Sequence, residues 1–320
     1  MLKNIPTHLI AGPLGAGKTS LIRHLLAQRP AGERWAVLIN EFGLIGLDAA
    51  LLDSDADGVA MGEVAGGCLC CVNGVPFQIG LSRLLRKARP DRLLIEPSGL
   101  GHPLQLLAQL REPPWTGVLA VQPAVLVLDA AALAAGAGLP ASQQATLGSA
   151  GLLLLNKAEK LDDGAKARVQ AQLPARPLQW TTQAALPLSQ LPGFAALAEA
   201  GTALDGLPVS AAPMPQIWRT PAEPICQVQE QPEAWSIGWR WHPSQRFELM
   251  RVQQWLQALP WRRAKLVLQT NAGWLAANAL DGQPLHWQNS EWRKDSRLEL
   301  IFDQPQVVET LRRGMAACRI

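Results

Sequence analysis

Gly12-Pro13-Leu14-Gly15-Ala16-Gly17-Lys18-Thr19 is the stretch that decides the fold. It matches the phosphate-loop pattern Gly-x-x-x-x-Gly-Lys-Ser/Thr in full, between an apolar run (Thr7–Ala11) and a helical stretch (Lys18–Ala27). Glycines let successive backbone N–H groups turn inward onto a β-phosphate, and the helix N-terminus adds partial positive charge. By the same logic Lys18 bridges β- and γ-phosphates and the Thr19 hydroxyl ligates Mg²⁺. The phosphate-binding set is therefore Gly12, Pro13, Leu14, Gly15, Ala16, Gly17, Lys18, Thr19 and Ser20.

Outward from this loop, short apolar runs alternate with helical stretches, the pattern of a parallel sheet with crossover helices. Strands are expected at Thr7–Ala11, Trp35–Asn40, Arg92–Glu96, Ala124–Asp129, Leu152–Asn156 and Leu178–Thr181. Helices are expected at Lys18–Ala27, Val75–Lys87 and Leu104–Leu110, while periodicity leaves Ala130–Ala150 ambiguous. The fold class is α/β: a phosphate-loop NTPase domain over 1–202, with a mostly parallel sheet and flanking helices. A Pro-rich linker is expected over 203–232. A small α+β domain should follow over 233–320. Its strands are read at Trp235–Trp241, Ala264–Thr270, Trp274–Ala279, Leu285–Glu291 and Arg297–Phe302, its helices around Leu249–Leu259 and Gln304–Ala317.

A phosphate loop needs an acid to hold the magnesium shell. Glu96 ends the apolar run Arg92–Ile95 and fills that role, and Gly99 follows as a switch glycine able to donate its N–H to a γ-phosphate. Asp48, between Gly46 and the next apolar run, is a second magnesium candidate. The expected catalytic set is Lys18, Thr19, Glu96 and Gly99. Base choice falls to Asn156-Lys157-Ala158-Glu159. In the usual Asn-Lys-x-Asp the carboxylate accepts both N–H groups of the guanine edge and the Lys stem packs on the base. Glu159, one methylene longer, keeps both hydrogen bonds within reach, so GTP is favoured over ATP.

Cys68, Cys70 and Cys71 stand on a glycine-flanked loop, three thiols within four positions. Thiolates favour Zn²⁺, Cu⁺ or iron–sulfur chemistry over Mg²⁺ or Ca²⁺, and three of them leave a fourth tetrahedral position open. Glu41 is the candidate for that position or for one just behind the ligands. Adjacent Cys70 and Cys71 pair only with strain, so the five cysteines indicate a reducing, cytoplasmic compartment rather than a disulfide framework. Cys226 and Cys318 lie outside any motif.

With 320 residues, 48% of them apolar and 17% charged, the chain has ample core and is not a disordered polymer. A net charge of +3 without a basic run excludes an electrostatic nucleic-acid or membrane-surface binder. The apolar run before Gly12 is too short for a signal segment, and no run has the length of a membrane span. Twelve tryptophans with no tyrosine read mainly as apolar bulk.

Taken in order, Gly12–Ser20, Asn40-Glu41-Phe42-Gly43, Gly66–Cys71, Glu96–Pro103 and Asn156–Glu159 resemble the CobW family of P-loop GTPases, in particular its YeiR-like branch. The resemblance also reaches the segment from about Trp235. It implies a zinc-binding GTPase of the metallochaperone kind, with GTP/GDP, Mg²⁺ and Zn²⁺ as ligands. Cys68, Cys70 and Cys71 would hold zinc, and GTP turnover would control its release to a client metalloprotein. Cobalt, iron or nickel delivery on the same machinery, or a nucleotide-regulated zinc store, are the alternatives. Leu44 stands where the family pattern has Glu, and Glu159 where it has Asp. The sequence leaves the client, the physiological metal and self-association open.

Overall fold

Strand β2 (Ile5–Ala11) is buried at every residue, as are Arg92–Pro97 and Leu152–Asn156. Continuous burial is why these strands read as unbroken apolar runs: helices cover both faces of a parallel sheet. The computed structural model describes residues 2–40, 59–63, 75–97, 99, 102–197, 199–200, 218, 220–231 and 234–320. It divides into two compact units, whose described residues run up to 200 and from 218 onward.

In the first unit β1 (Leu2–Lys3) and β2 lead to α1 (Lys18–Ala27), β3 (Trp35–Asn40) and β4 (Val59–Glu63). Then come α2 (Val75–Ala88), β5 (Arg92–Pro97), α3 (Pro103–Gln109), β6 (Leu119–Val121) and β7 (Val125–Asp129). The stretch that periodicity left ambiguous holds two short helices, α4 (Ala130–Ala134) and α5 (Ala141–Leu147), separated by Gly136 at φ 85°. β8 (Leu152–Asn156), α6 (Asp163–Ala171), β9 (Leu178–Trp180) and β10 (Glu199–Ala200) complete it.

The main sheet runs β4-β3-β5-β2-β7-β8-β9, with β6 also on β2, and every pairing is parallel. Strands laid down between β2 and β6 fall on one side of β2, and β7, β8 and β9 on the other. That reversal opens a crevice at the carboxyl end of β2, where such folds bind ligands.

Beneath the sheet, His8 of β2 accepts from Arg92 Nη1 at 2.6 Å, and Arg92 Nη2 donates to the carbonyls of Phe194 and Ala196 at 2.7 and 3.0 Å. The guanidinium also lies over the Phe194 ring, 4.7 Å from its centroid. Burial, then the Arg92 charge, lowers the His8 pKa to about 3, so the imidazole is neutral and serves as an acceptor.

The second unit is an antiparallel sheet of order β11-β12-β16-β13-β14-β15. Its strands are β11 (Ile225–Gln231), β12 (Ala234–Trp241), β13 (Arg263–Thr270), β14 (Gly273–Leu280), β15 (Gln288–Asn289) and β16 (Ser296–Phe302). Helices α7 (Leu249–Gln257) and α8 (Val308–Ala316) contribute Val252, Leu256, Leu311 and Met315 to one core with Trp235, Trp239 and Trp241. Glu248 caps α7, accepting from the N–H groups of Met250 and Arg251.

Two expectations shift here. β11 begins inside the stretch read as linker, because Ile225–Gln231 pairs residue by residue with β12. The expected strand Leu285–Glu291 shrinks to Gln288–Asn289, which follows Pro284 and pairs only with Ala276 and Leu275. Trp35, Trp115, Trp235, Trp239, Trp241 and Trp261 are all buried, in keeping with tryptophan as core bulk.

Candidate nucleotide-binding site

β2 stops at Ala11 and the chain turns through Gly12, Gly15 and Gly17, at φ 145°, 72° and 111°, into α1. A side chain is excluded at the two ends of this turn by space as well as by φ. A Cβ on Gly12 would lie 2.1 Å from the Val127 carbonyl oxygen, and one on Gly17 would lie 2.3 Å from Asn156 Nδ2. The loop is thus wedged between β7 and the end of β8.

Lys18 is buried, with its ammonium folded back over the loop to donate to the Pro13 carbonyl at 3.0 Å. Thr19 Oγ1 donates to the Glu96 carboxylate, 3.0 Å from Oε1 and 3.1 Å from Oε2. Glu96 is only 3% exposed at the end of β5, the strand beside β2. A hydroxyl and a carboxylate in one place form a hard-oxygen donor pair, which fits Mg²⁺. Gly99 packs directly on the loop, since a Cβ there would approach Leu14 N to 2.6 Å, and its carbonyl accepts from Gln143 Nε2 at 3.4 Å. Ser20, by contrast, is exposed on α1.

The other end of the site gathers on Asn156, the last residue of β8. Its Nδ2 donates to the Ala16 carbonyl at 2.8 Å and its Oδ1 accepts from Ala184 N at 2.7 Å. One buried amide therefore ties the phosphate loop to the segment after β9. Lys157 adopts a left-handed backbone, φ 61°, and its ammonium meets Asp129 Oδ2 at 2.5 Å. Glu159 is exposed two residues on. The 181–188 segment is fixed from both sides: Thr181 Oγ1 donates to the Ala185 carbonyl at 2.7 Å, and Gln28 Nε2 of the α1 C-cap donates to the Leu186 carbonyl at 2.9 Å.

Residues 6–178 match the model of the CobW/HypB/UreG nucleotide-binding domain. The chain belongs to that family. Among its relatives, the zinc chaperone YeiR of Escherichia coli K12 is 33% identical over 319 residues, covering 92% of each protein. The zinc chaperone CobW of Pseudomonas aeruginosa is 34% identical over 243 residues, covering 65% of this chain and 64% of the relative. A solved structure, Zn(II)-bound YjiA GTPase from E. coli, is similar with a TM-score of 0.43 at 18% identity, covering 99% of both chains.

In this CobW/HypB/UreG member the structure brings Gly12–Thr19, Glu96, Gly99 and Asn156 together. Glu41, Asp48, Cys68, Cys70 and Cys71 lie outside the described residues. Among the described residues no cluster of three His, Cys, Asp or Glu side chains is arranged to hold a metal ion. Cys226 and Cys318 are free thiols. No described helix is long and apolar enough to cross a membrane.

Sequence reading missed the loop at Gln183 and Ala184. Its two left-handed residues, φ 52° and 55°, are Gln and Ala rather than Gly or Asn, so nothing in their type marks a tight turn. Its position after the strand that follows the Asn156 motif was the one available signal.

Proposed function

We propose that this protein is a zinc-binding GTPase of the metallochaperone kind, coupling GTP hydrolysis in the cytoplasm to zinc binding and transfer to a client protein. One observation carries the reading. A phosphate loop, an adjacent buried acid and the Asn156 clamp occur in a chain that is 33% identical over 92% of its length to a protein named a zinc chaperone.

Hydrolysis breaks the bond between the γ-phosphorus and its bridging oxygen, and water supplies the new P–O bond, giving GDP and phosphate. The glycine turn presents backbone N–H groups to the phosphates, and the Lys18 ammonium exchanges the Pro13 carbonyl for β- and γ-phosphate oxygens. Thr19 and Glu96 would hold magnesium, whose charge offsets that of the triphosphate when it is bound. Gly99, pressed on Leu14, stands beside the loop, where its N–H would meet the third phosphate together with Lys18. At the other end Glu159 accepts the guanine N–H groups, while Asn156 keeps the base and phosphate segments in register.

Zinc is cargo in this scheme, held by Cys68, Cys70 and Cys71 with Glu41 as the fourth ligand. These residues fall between the phosphate loop and Glu96 in sequence, so nucleotide-dependent ordering on either side changes the thiolate geometry. Linkage then requires zinc to alter nucleotide affinity by the same factor.

The test is a zinc competition titration against a chromophoric chelator with GDP, a non-hydrolysable GTP analogue or no nucleotide. A difference of roughly 5- to 150-fold between states is expected. The Cys68→Ser, Cys70→Ser, Cys71→Ser triple variant should lose tight zinc binding and keep nucleotide binding. Identical zinc affinity in all three states would exclude nucleotide-gated delivery and leave a zinc store.

A further inference from the structure

Two lysines stand at the nucleotide site, and the structure gives them different anchors. Lys18 rests on the Pro13 carbonyl within the phosphate loop. Lys157 is drawn the other way, to Asp129, and that carboxylate has no part in the roles assigned above.

Asp129 ends β7 as Asn156 ends β8, and the two are register partners across the parallel pair. Both carboxylate oxygens of Asp129 are engaged. Oδ1 accepts from Ala132 N at 2.9 Å, capping α4, and Oδ2 meets Lys157 Nζ at 2.5 Å. With one oxygen pinned to a helix start and the other on the ammonium, the carboxylate is fixed in orientation. The lysine is 38% exposed and its backbone sits at φ 61°, so an unpinned head would sample water in many rotamers.

We propose that Asp129 is a positioning residue for the base half of the site. It holds the Lys157 stem in one conformation beside the guanine and keeps the ammonium away from the phosphates, so that preference for guanine over adenine depends on it. The proposal rests on the GTPase reading and deepens it. An unpinned lysine loses rotamer freedom at the moment of binding, which weakens affinity for a base held under its stem. Guanine is held there by the Glu159 carboxylate, whereas adenine lacks the matching pair of N–H groups, and the phosphate contacts common to both nucleotides are left alone.

The competing explanation is that Asp129 only caps α4. Asp129→Asn separates the two, because the amide oxygen still accepts from Ala132 N while the charge that holds Lys157 is gone. Calorimetric titration of the full chain with GDP and ADP, beside thermal melts, gives the readout. We expect GDP affinity to fall about fivefold, as for one lost half-exposed ion pair, with ADP affinity changed less than twofold and the melting temperature kept. In a Lys157→Met background the same substitution should have no further effect. Equal weakening of both nucleotides, unchanged GDP affinity, or an undiminished effect without Lys157 would each overturn the proposal. If the unsubstituted protein shows no preference for GDP, the GTPase reading falls as well, whereas an undiminished GDP/ADP preference in Asp129→Asn sinks the Asp129 role alone.

Discussion

The phosphate end and the base end of this site are built on opposite plans. Eight consecutive residues make the phosphate end, and their backbone does most of the work. The proposed base end is assembled from Asp129, Asn156, Lys157 and Ala184, which come from two strand ends and a loop. A contiguous backbone cradle tolerates no added atom, as the 2.1 Å from a Gly12 Cβ to Val127 oxygen shows. A cradle of remote side chains is held by pairwise bonds that can be cut singly. The first plan should fail all at once and the second by degrees.

Lys18→Ala probes the first plan and should have the largest effect. It removes the cation aimed at the β/γ oxygens and should lower GTP turnover by at least ~10²–10³-fold. The melting temperature should hold, since the residue supplies charge rather than packing. Phosphate-release assays at saturating GTP measure it, and near-normal turnover would break the account of the phosphate end.

Asn156→Ala tests the link between the ends. The carbonyl of Ala16 and the N–H of Ala184 lose their buried partner, so a stability loss of about 2–3 kcal/mol is expected in denaturant titrations. GTP and ATP should weaken together, because the clamp serves the loop shared by both. A selective loss of GTP would show that the two ends are independent after all.

Acid acts on the strand that feeds the phosphate loop. Free histidine has its ordinary pKa of 6.5 in the unfolded chain, against about 3 for His8 in the fold. The folded state therefore resists protonation. The stability it contributes is complete above pH 6.5 and is lost as pH falls toward 3, with a slope approaching ~1.4 kcal/mol per pH unit. Urea titrations from pH 7.5 to 4.5 would show this, and His8→Gln, which keeps an acceptor for Arg92, should flatten it. The same slope in that variant would assign the acid sensitivity elsewhere.

The smallest change is expected at the exposed tip of the base end. Glu159→Asp shortens the acid to the usual reach and should preserve or sharpen the GTP/ATP ratio, by about 2- to 3-fold where solvent screens the gain. A reversed ratio would remove Glu159 from base recognition.

Legibility followed the same division. Gly12–Thr19 could be read because a phosphate loop needs particular residue types at fixed neighbouring positions. The central strands were readable for a related reason: burial on both faces leaves continuous runs such as Leu152–Leu155. β4 was not, because Val59-Ala60-Met61-Gly62-Glu63 has little strand preference of its own. It is held by pairing with β3, and at Gly62 a Cβ would come within 2.8 Å of Leu84 Cδ2 on α2. β11 was hidden among prolines, and its register with β12 is what makes it a strand.

The sequence by itself determined that this protein has a phosphate loop, a parallel sheet beneath it, a second acid-bearing strand and the Asn156-Lys157-Ala158-Glu159 stretch that we propose reads the base. Each is written in residues close enough along the chain for local chemistry to specify them. Only the tertiary structure decided that Asn156 clamps Ala16 to Ala184, that Gly99 lies on Leu14, and that Asp129 holds Lys157. The contacts of Asn156 with Ala16 and of Gly99 with Leu14 join residues 140 and 85 positions apart, and their partners present backbone groups that every residue type carries. A peptide carbonyl or N–H leaves no mark in the sequence. Its selection as a partner is fixed by where the strand order places it.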